Sequence, residues 1–155
     1  MANIGKWSLS TVGITTVLSD TQLSALASAT MSAAGSTYDN STNLDLYVDL
    51  EVNLPSMAST PGGGAYVTIY VYVSEDGSNF PAQSAADLRL TTTQLLCSIP
   101  VGTGSSTQRV VARMIPIPPK KIQFLLDNQT GVALGTSQGS TVKIVPYNYD
   151  LNAAP

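Results

Sequence analysis

The sequence predicts an all-β protein, an antiparallel β-sandwich with an extended N-terminal segment. Three observations carry that expectation. Residues 44–52 and 66–73 alternate apolar and polar side chains with a period of two. Pro- and Gly-rich turns recur between short apolar runs along the rest of the chain. After the first 42 residues, almost no segment repeats apolar residues at helical spacing. Six to eight strands joined in this way suit a sandwich, and a jelly roll is one form open to it. The 155 residues read as one domain, large enough to bury a core without a disulfide or a metal.

Residues 1–42 are read as an N-terminal arm or irregular segment holding a short strand and a short helix. The strand falls within Trp7 to Leu18. The helix is capped at Ser19-Asp20 and has Leu23 and Leu26 on one face. The sandwich domain is read as residues 43–155. Its first strand carries Leu44, Leu46, Val48, Leu50 and Val52 on one face, with Asp45, Tyr47, Asp49 and Glu51 on the other. The second carries Val67, Ile69, Val71 and Val73 against Tyr66, Thr68, Tyr70 and Tyr72. The two read as a hairpin whose register sets Val52 by Val67 and Tyr47 by Tyr72. Later strands are expected at residues 94–101, 107–115 (Val110, Ala112 and Met114 on one face), 121–127 (Ile122, Phe124 and Leu126 inward) and 141–147 (Val142 and Ile144 inward). Residues 82–93 read as a loop, and 132–134 as a brief strand.

Composition excludes several functions. Net charge is −3, and the seven Lys and Arg are spread thinly, so no basic stripe is available for nucleic acid. No run approaches the roughly 20 apolar residues that span a bilayer. The first residues lack the basic and apolar regions of a signal peptide, which predicts synthesis in the cytoplasm. Charged residues make up only 11% of the chain, so repulsion does little to keep copies or partners apart. Cys97, the only cysteine, lies in an apolar run and reads as a buried, inert thiol.

No catalytic, cofactor-binding or metal-binding set is expected. The chain has no histidine, which removes Ser-His-Asp and Cys-His nucleophilic sites and most zinc chemistry. Asp45, Asp49 and Glu51 share one strand face, but catalytic acid–base work needs one carboxyl in an apolar setting, and this face reads as outward and polar. Residues 75–79, Glu-Asp-Gly-Ser-Asn, lack the spacing of a calcium loop and read as a tight turn. The sequons at Asn40 and Asn128 are attributed to chance. The most informative feature is the tyrosine stripe Tyr47, Tyr66, Tyr70 and Tyr72. It fits a subunit interface, a sugar-stacking platform or simply a packed second face. Sugar binding usually adds tryptophan, and Trp7 is distant in sequence.

Four segments, in order, resemble a known family. They are Leu46-Tyr-Val-Asp-Leu-Glu-Val52, the strand and turn from Val67 to Phe80, the run from Ile115 to Gly131, and Val142-Lys-Ile-Val-Pro-Tyr-Asn148. The series is similar to small β-sandwich virion proteins of tailed bacteriophages, of the capsid decoration (cement) type. The likeness lies in the Ser-x-Asp-Gly-x-Asn-Phe turn, the Pro-rich lead into Lys-x-x-Phe-x-Leu, and the closing Pro-Tyr-Asn, and it covers residues 43–150. It implies a structural protein made in the bacterial cytoplasm and carried on the capsid surface. There it would bridge subunits of the major capsid protein as a homo-oligomer, a trimer being one option. The interface residues expected on that reading are Tyr47, Tyr66, Tyr70 and Tyr72. A carbohydrate-binding module and an accessory tail or head–tail component are the alternatives.

Overall fold

The computed structural model describes residues 6–81, 94–136 and 139–150. In chain order these form β1 (Lys6–Leu9), β2 (Thr15–Leu18), α1 (Asp20–Leu23), β3 (Thr30–Met31), β4 (Thr37–Asp39) and α2 (Asn40–Asn43). There follow β5 (Tyr47–Leu54), β6 (Tyr66–Ser74), β7 (Gln94–Pro100), β8 (Gln108–Pro116), β9 (Lys121–Gln129) and β10 (Thr141–Asp150).

The strands make two antiparallel sheets. The first runs β1-β10-β5-β8, with β2 also on β10, and the second runs β3-β9-β6-β7, with β4 also on β9. Taking β1/β2 and β3/β4 as two broken edge strands leaves eight positions. Every connection then crosses between sheets except β6 to β7, which is jelly-roll order. The inner faces meet in one core. Val48, Leu50, Val52, Leu54, Val142 and Ile144 of the first sheet pack against Val67, Ile69, Val71, Ile122, Phe124 and Leu126 of the second. Phe124, Leu126, Val142 and Ile144 point inward as their alternation predicts.

The expected hairpin of β5 and β6 does not form. β5 pairs with β8 and β10, while β6 pairs with β7 and β9 in the other sheet. Both strands present an aliphatic face, and such faces can lie side by side in one sheet or stack across a core. Period alone does not separate the two, but the long connection through Pro55 and Gly64 suits a crossing better than a tight turn. Tyr47 therefore does not stand beside Tyr72. β8 departs from its expected face as well, because Arg113 and Met114 together oppose Asp49 in a bulge. Met114 adopts φ 56°, turns outward, and Ile115 takes the inner position.

The first 42 residues supply strands to both sheets, so the boundary read at residue 42 falls inside one sandwich, within α2. Pieces of two to four residues are too short to declare a period. The helical turn does start at Ser19, whose N–H donates to Gln22 Oε1 at 3.0 Å as in a capping box. Gly35 is required where this segment bridges the sheets. Its N–H donates to Phe124 O, and a Cβ there would overlap the Val17 carbonyl. Pro146 sits in the central strand β10, where a missing N–H is normally costly. Its carbonyl faces the edge strand and accepts from Ser10 N, so the absent N–H meets the gap between β1 and β2.

A polar network ties the sheets at one end. Asp45, expected outward, is 2% exposed because the chain leaves α2 through a left-handed Leu44 and enters β5 only at Tyr47. Its carboxylate accepts from the Tyr38 hydroxyl on β4 and from Asn148 Nδ2 on β10. Asn40 is fully buried, and its amide donates to the carbonyls of Asp45 and Pro118 and accepts from Asp45 N. Asn128 is likewise buried, its Nδ2 donating to the carbonyls of Leu26 and Val132. Both sequon amides are thus committed inside the fold.

Burial, and then the bond and charge of Asp45, raise the Tyr38 hydroxyl well above its ordinary value of 10.0. A raised folded value stabilises the fold fully below pH 10, and that stabilisation is lost as alkali ionises the unfolded chain first. Urea unfolding measured from pH 8 to 11 should therefore show stability falling above pH 10, with a shallower fall in Tyr38→Phe. Cys97 contributes equally to both proteins above its ordinary 9.0, so it cancels. Parallel slopes in the two proteins would refute the assignment.

Candidate functional site

Side chains directly opposite on neighbouring strands stand on the same face, so register decides which aromatics meet. In the first sheet Trp7 opposes Tyr149, Leu9 opposes Tyr147, and Tyr147 opposes Tyr47. The outward alternation of β1, β10 and β5 thus gathers four aromatic rings at one end of the sheet. Trp7 meets Tyr47, Tyr147 and Tyr149 edge to face at 5.8, 5.4 and 5.0 Å between ring centroids. Tyr47 and Tyr147 lie nearly parallel at 6.0 Å. Edge-to-face and offset contacts in this range are favourable, so the rings hold one another in place. Trp7 remains 52% exposed and Leu9 76%.

Asp49 lies in the next row of the same face. Its Oδ1 accepts from Met114 N at 3.0 Å, fixing the bulge, and from the Tyr147 hydroxyl at 3.0 Å. Partial burial and this carboxylate raise the Tyr147 hydroxyl above its usual value. One row further, Glu51 pairs with Arg109 at 2.5 Å, and that bond holds the Glu51 carboxyl below its usual range. The sheet face therefore grades from aromatic at one end to charged and hydrogen-bonding at the other.

The outer face of the second sheet differs. Tyr66 and Tyr70 do share it, with Pro100 and Leu95 opposite them on β7. Tyr66 is 41% exposed and Leu95 57%. Tyr72 is fully buried with Leu125 beneath Met31, Ala34, Tyr70 and Phe80, so it offers no contact surface. Of the four expected interface residues, two remain together, one is internal, and Tyr47 belongs to the opposite face. The stripe was legible in the alternation of β6. The meeting of Trp7 with the tyrosines of β10 was not, because it depends on pairing the two ends of the chain.

Other sequence-marked positions resolve locally. Residues 75–79 form a tight turn in which Asp76 accepts from Ser78 N, Asn79 N, Asn79 Nδ2 and the Ser74 hydroxyl. Those bonds, from the Asn79 backbone first, hold its carboxyl well below the ordinary range. The Cys97 thiol packs against the core, and burial pushes it up to about 11. Among the described residues, no group of His, Cys, Asp or Glu is placed to hold a metal ion. No helix among them is long and apolar enough to cross a membrane. The residues expected as a loop at 82–93 lie outside the described residues. Comparison of the chain with known protein families and with curated proteins finds no match to either.

Proposed function

We propose that the protein is a structural component of a phage virion, a capsid decoration protein that reinforces the shell by bridging subunits of the major capsid protein. The observation that carries this reading is the apolar patch on the second sheet. Tyr66 with Pro100 and Tyr70 with Leu95 form two cross-strand pairs on one face, with the hydrogen-bonded Thr68 and Ser98 hydroxyls between them, and β7 pairs only with β6 among the described residues. β7 contains no charged residue, whereas free sheet edges are normally blunted by charge. A surface of this composition gains by burial against a protein partner, with tyrosine supplying large area at low entropic cost. The resemblance of residues 43–150 to decoration proteins and the low charge of the chain point the same way. So does the jelly roll, which recurs in capsid domains, an argument by analogy of fold.

Quantitative mass spectrometry of purified particles tests the reading. A copy number comparable to the shell protein is expected. A Tyr66→Ala, Leu95→Lys double variant should fold normally but lose at least tenfold in particle occupancy, the effect of losing a buried anchor from an interface. A handful of copies would move the protein to the tail or portal. Complete absence from particles would overturn the virion reading.

A further inference from the structure

We propose that the aromatic ledge on the first sheet is a carbohydrate-binding site, taking a chain of uncharged pyranose sugars across Trp7, Tyr149 and Asp49. The ledge lies on the face opposite the Tyr66 patch, so this assignment goes beyond the assembly role and does not depend on it.

Two features of the ledge select the ligand. The first is ring geometry. Trp7 stands at 75° and 76° to Tyr47 and Tyr147, while those two are within 24° of parallel. The rings therefore form an aromatic corner. A pyranose is matched to such a surface, since its C–H-lined faces stack on rings while its hydroxyls project from the edge. The second feature is unfilled hydrogen-bonding capacity beside those rings. Among the described residues, Asp49 Oδ2, Trp7 Nε1 and the hydroxyls of Tyr47 and Tyr149 take part in no hydrogen bond, although Asp49 Oδ1 has two partners.

These groups decide between a sugar and an apolar protein surface. Each polar group buried without a partner costs roughly 1–3 kcal/mol, so an apolar partner would strand several at once. A polyol brings a hydroxyl to each of them. The patch around Tyr66, Leu95 and Pro100 borders β7, which carries no charged residue and pairs only with β6 among the described residues, and suits a protein partner, which is why the two faces are assigned differently. A carboxylate oxygen in the ledge disfavours anionic glycans, which would meet Asp49 as a like charge.

Trp7 is the only tryptophan in the chain, so its fluorescence reports on the ledge alone. The full chain is titrated with neutral hexaoses of glucose, mannose and N-acetylglucosamine, with hyaluronan fragments as the anionic control. A saturable shift in emission is expected with at least one neutral hexaose and none with hyaluronan. By calorimetry, Trp7→Ala and Tyr149→Ala should each weaken binding at least tenfold. Tyr149→Phe, which removes only a hydroxyl, should weaken it several-fold. Tyr66→Ala should leave it unchanged. No response to any neutral hexaose at millimolar concentration would overturn the proposal. So would binding that survives Trp7→Ala, or a Trp7 response seen only on adding purified shells. Particle occupancy of Trp7→Ala, measured in parallel, separates this outcome from any failure of the assembly role.

Discussion

Phe124→Ala is expected to lower the unfolding free energy by about 3–5 kcal/mol, the range for emptying a large aromatic site in a packed core. Phe124 is fully buried and lies on β9, between β4 and β6. Val71 is its cross-strand neighbour, and its carbonyl receives the Gly35 N–H that carries the N-terminal segment over from β2. The site can collapse little, because strands hydrogen-bonded on both sides fix the backbone. Domains of this size hold only about 5–15 kcal/mol in total, so one truncation removes a large share. Urea unfolding would measure it, with Met114→Ala as the exposed control, expected within about 0.5 kcal/mol of the parent. A loss below about 1 kcal/mol would mean that Phe124 is not the cross-sheet filler described.

That residue also marks what the sequence made legible. Strand identity and inner faces follow from local alternation, so β6, β9, β10 and, from Val48 onward, β5 could be read with their core residues. Leu44 and Leu46, placed on the same face by alternation, precede β5 and are exposed. Pairing partners are long-range, and alternation does not encode them. β5 and β6 looked like a hairpin because two aliphatic faces match equally well beside or across from each other. The N-terminal strands were unreadable for a different reason. They are two to four residues long, too short to carry a period, and draw their place from β9 and β10. The candidate sites inherit this division. Tyr66 and Tyr70 were visible on one strand, whereas the ledge is assembled from three strands far apart in sequence. Alternation puts Met114 on the face of Val110 and Ala112, but a bulge adds one residue to the count and turns it outward, and Asp49, which stabilises that bulge, gives no local sign of doing so.

Asp45→Ala is expected to cost about 3 kcal/mol, and the reason reaches the ledge. The carboxylate is buried and, among the described residues, lies in no ion pair, yet both its oxygens are occupied. Truncation strands the Tyr38 hydroxyl and Asn148 Nδ2, each worth roughly 1–3 kcal/mol when left unmet in the interior. Asp45→Asn removes the buried charge and can still accept from Tyr38, but it turns an N–H₂ toward another donor on Asn148, so about 1–2 kcal/mol is expected. Urea unfolding at neutral pH separates the two variants. Equal losses would mean that volume, not acceptor capacity, is what the site needs. Asn148 also accepts from Leu46 N at 2.8 Å and sits between Tyr147 and Tyr149 on β10. Freeing it loosens the strand end that carries two of the four aromatic rings. Asp45→Ala should therefore alter Trp7 emission in the folded state, whereas Phe124→Ala, acting through the core at the other sheet, should not.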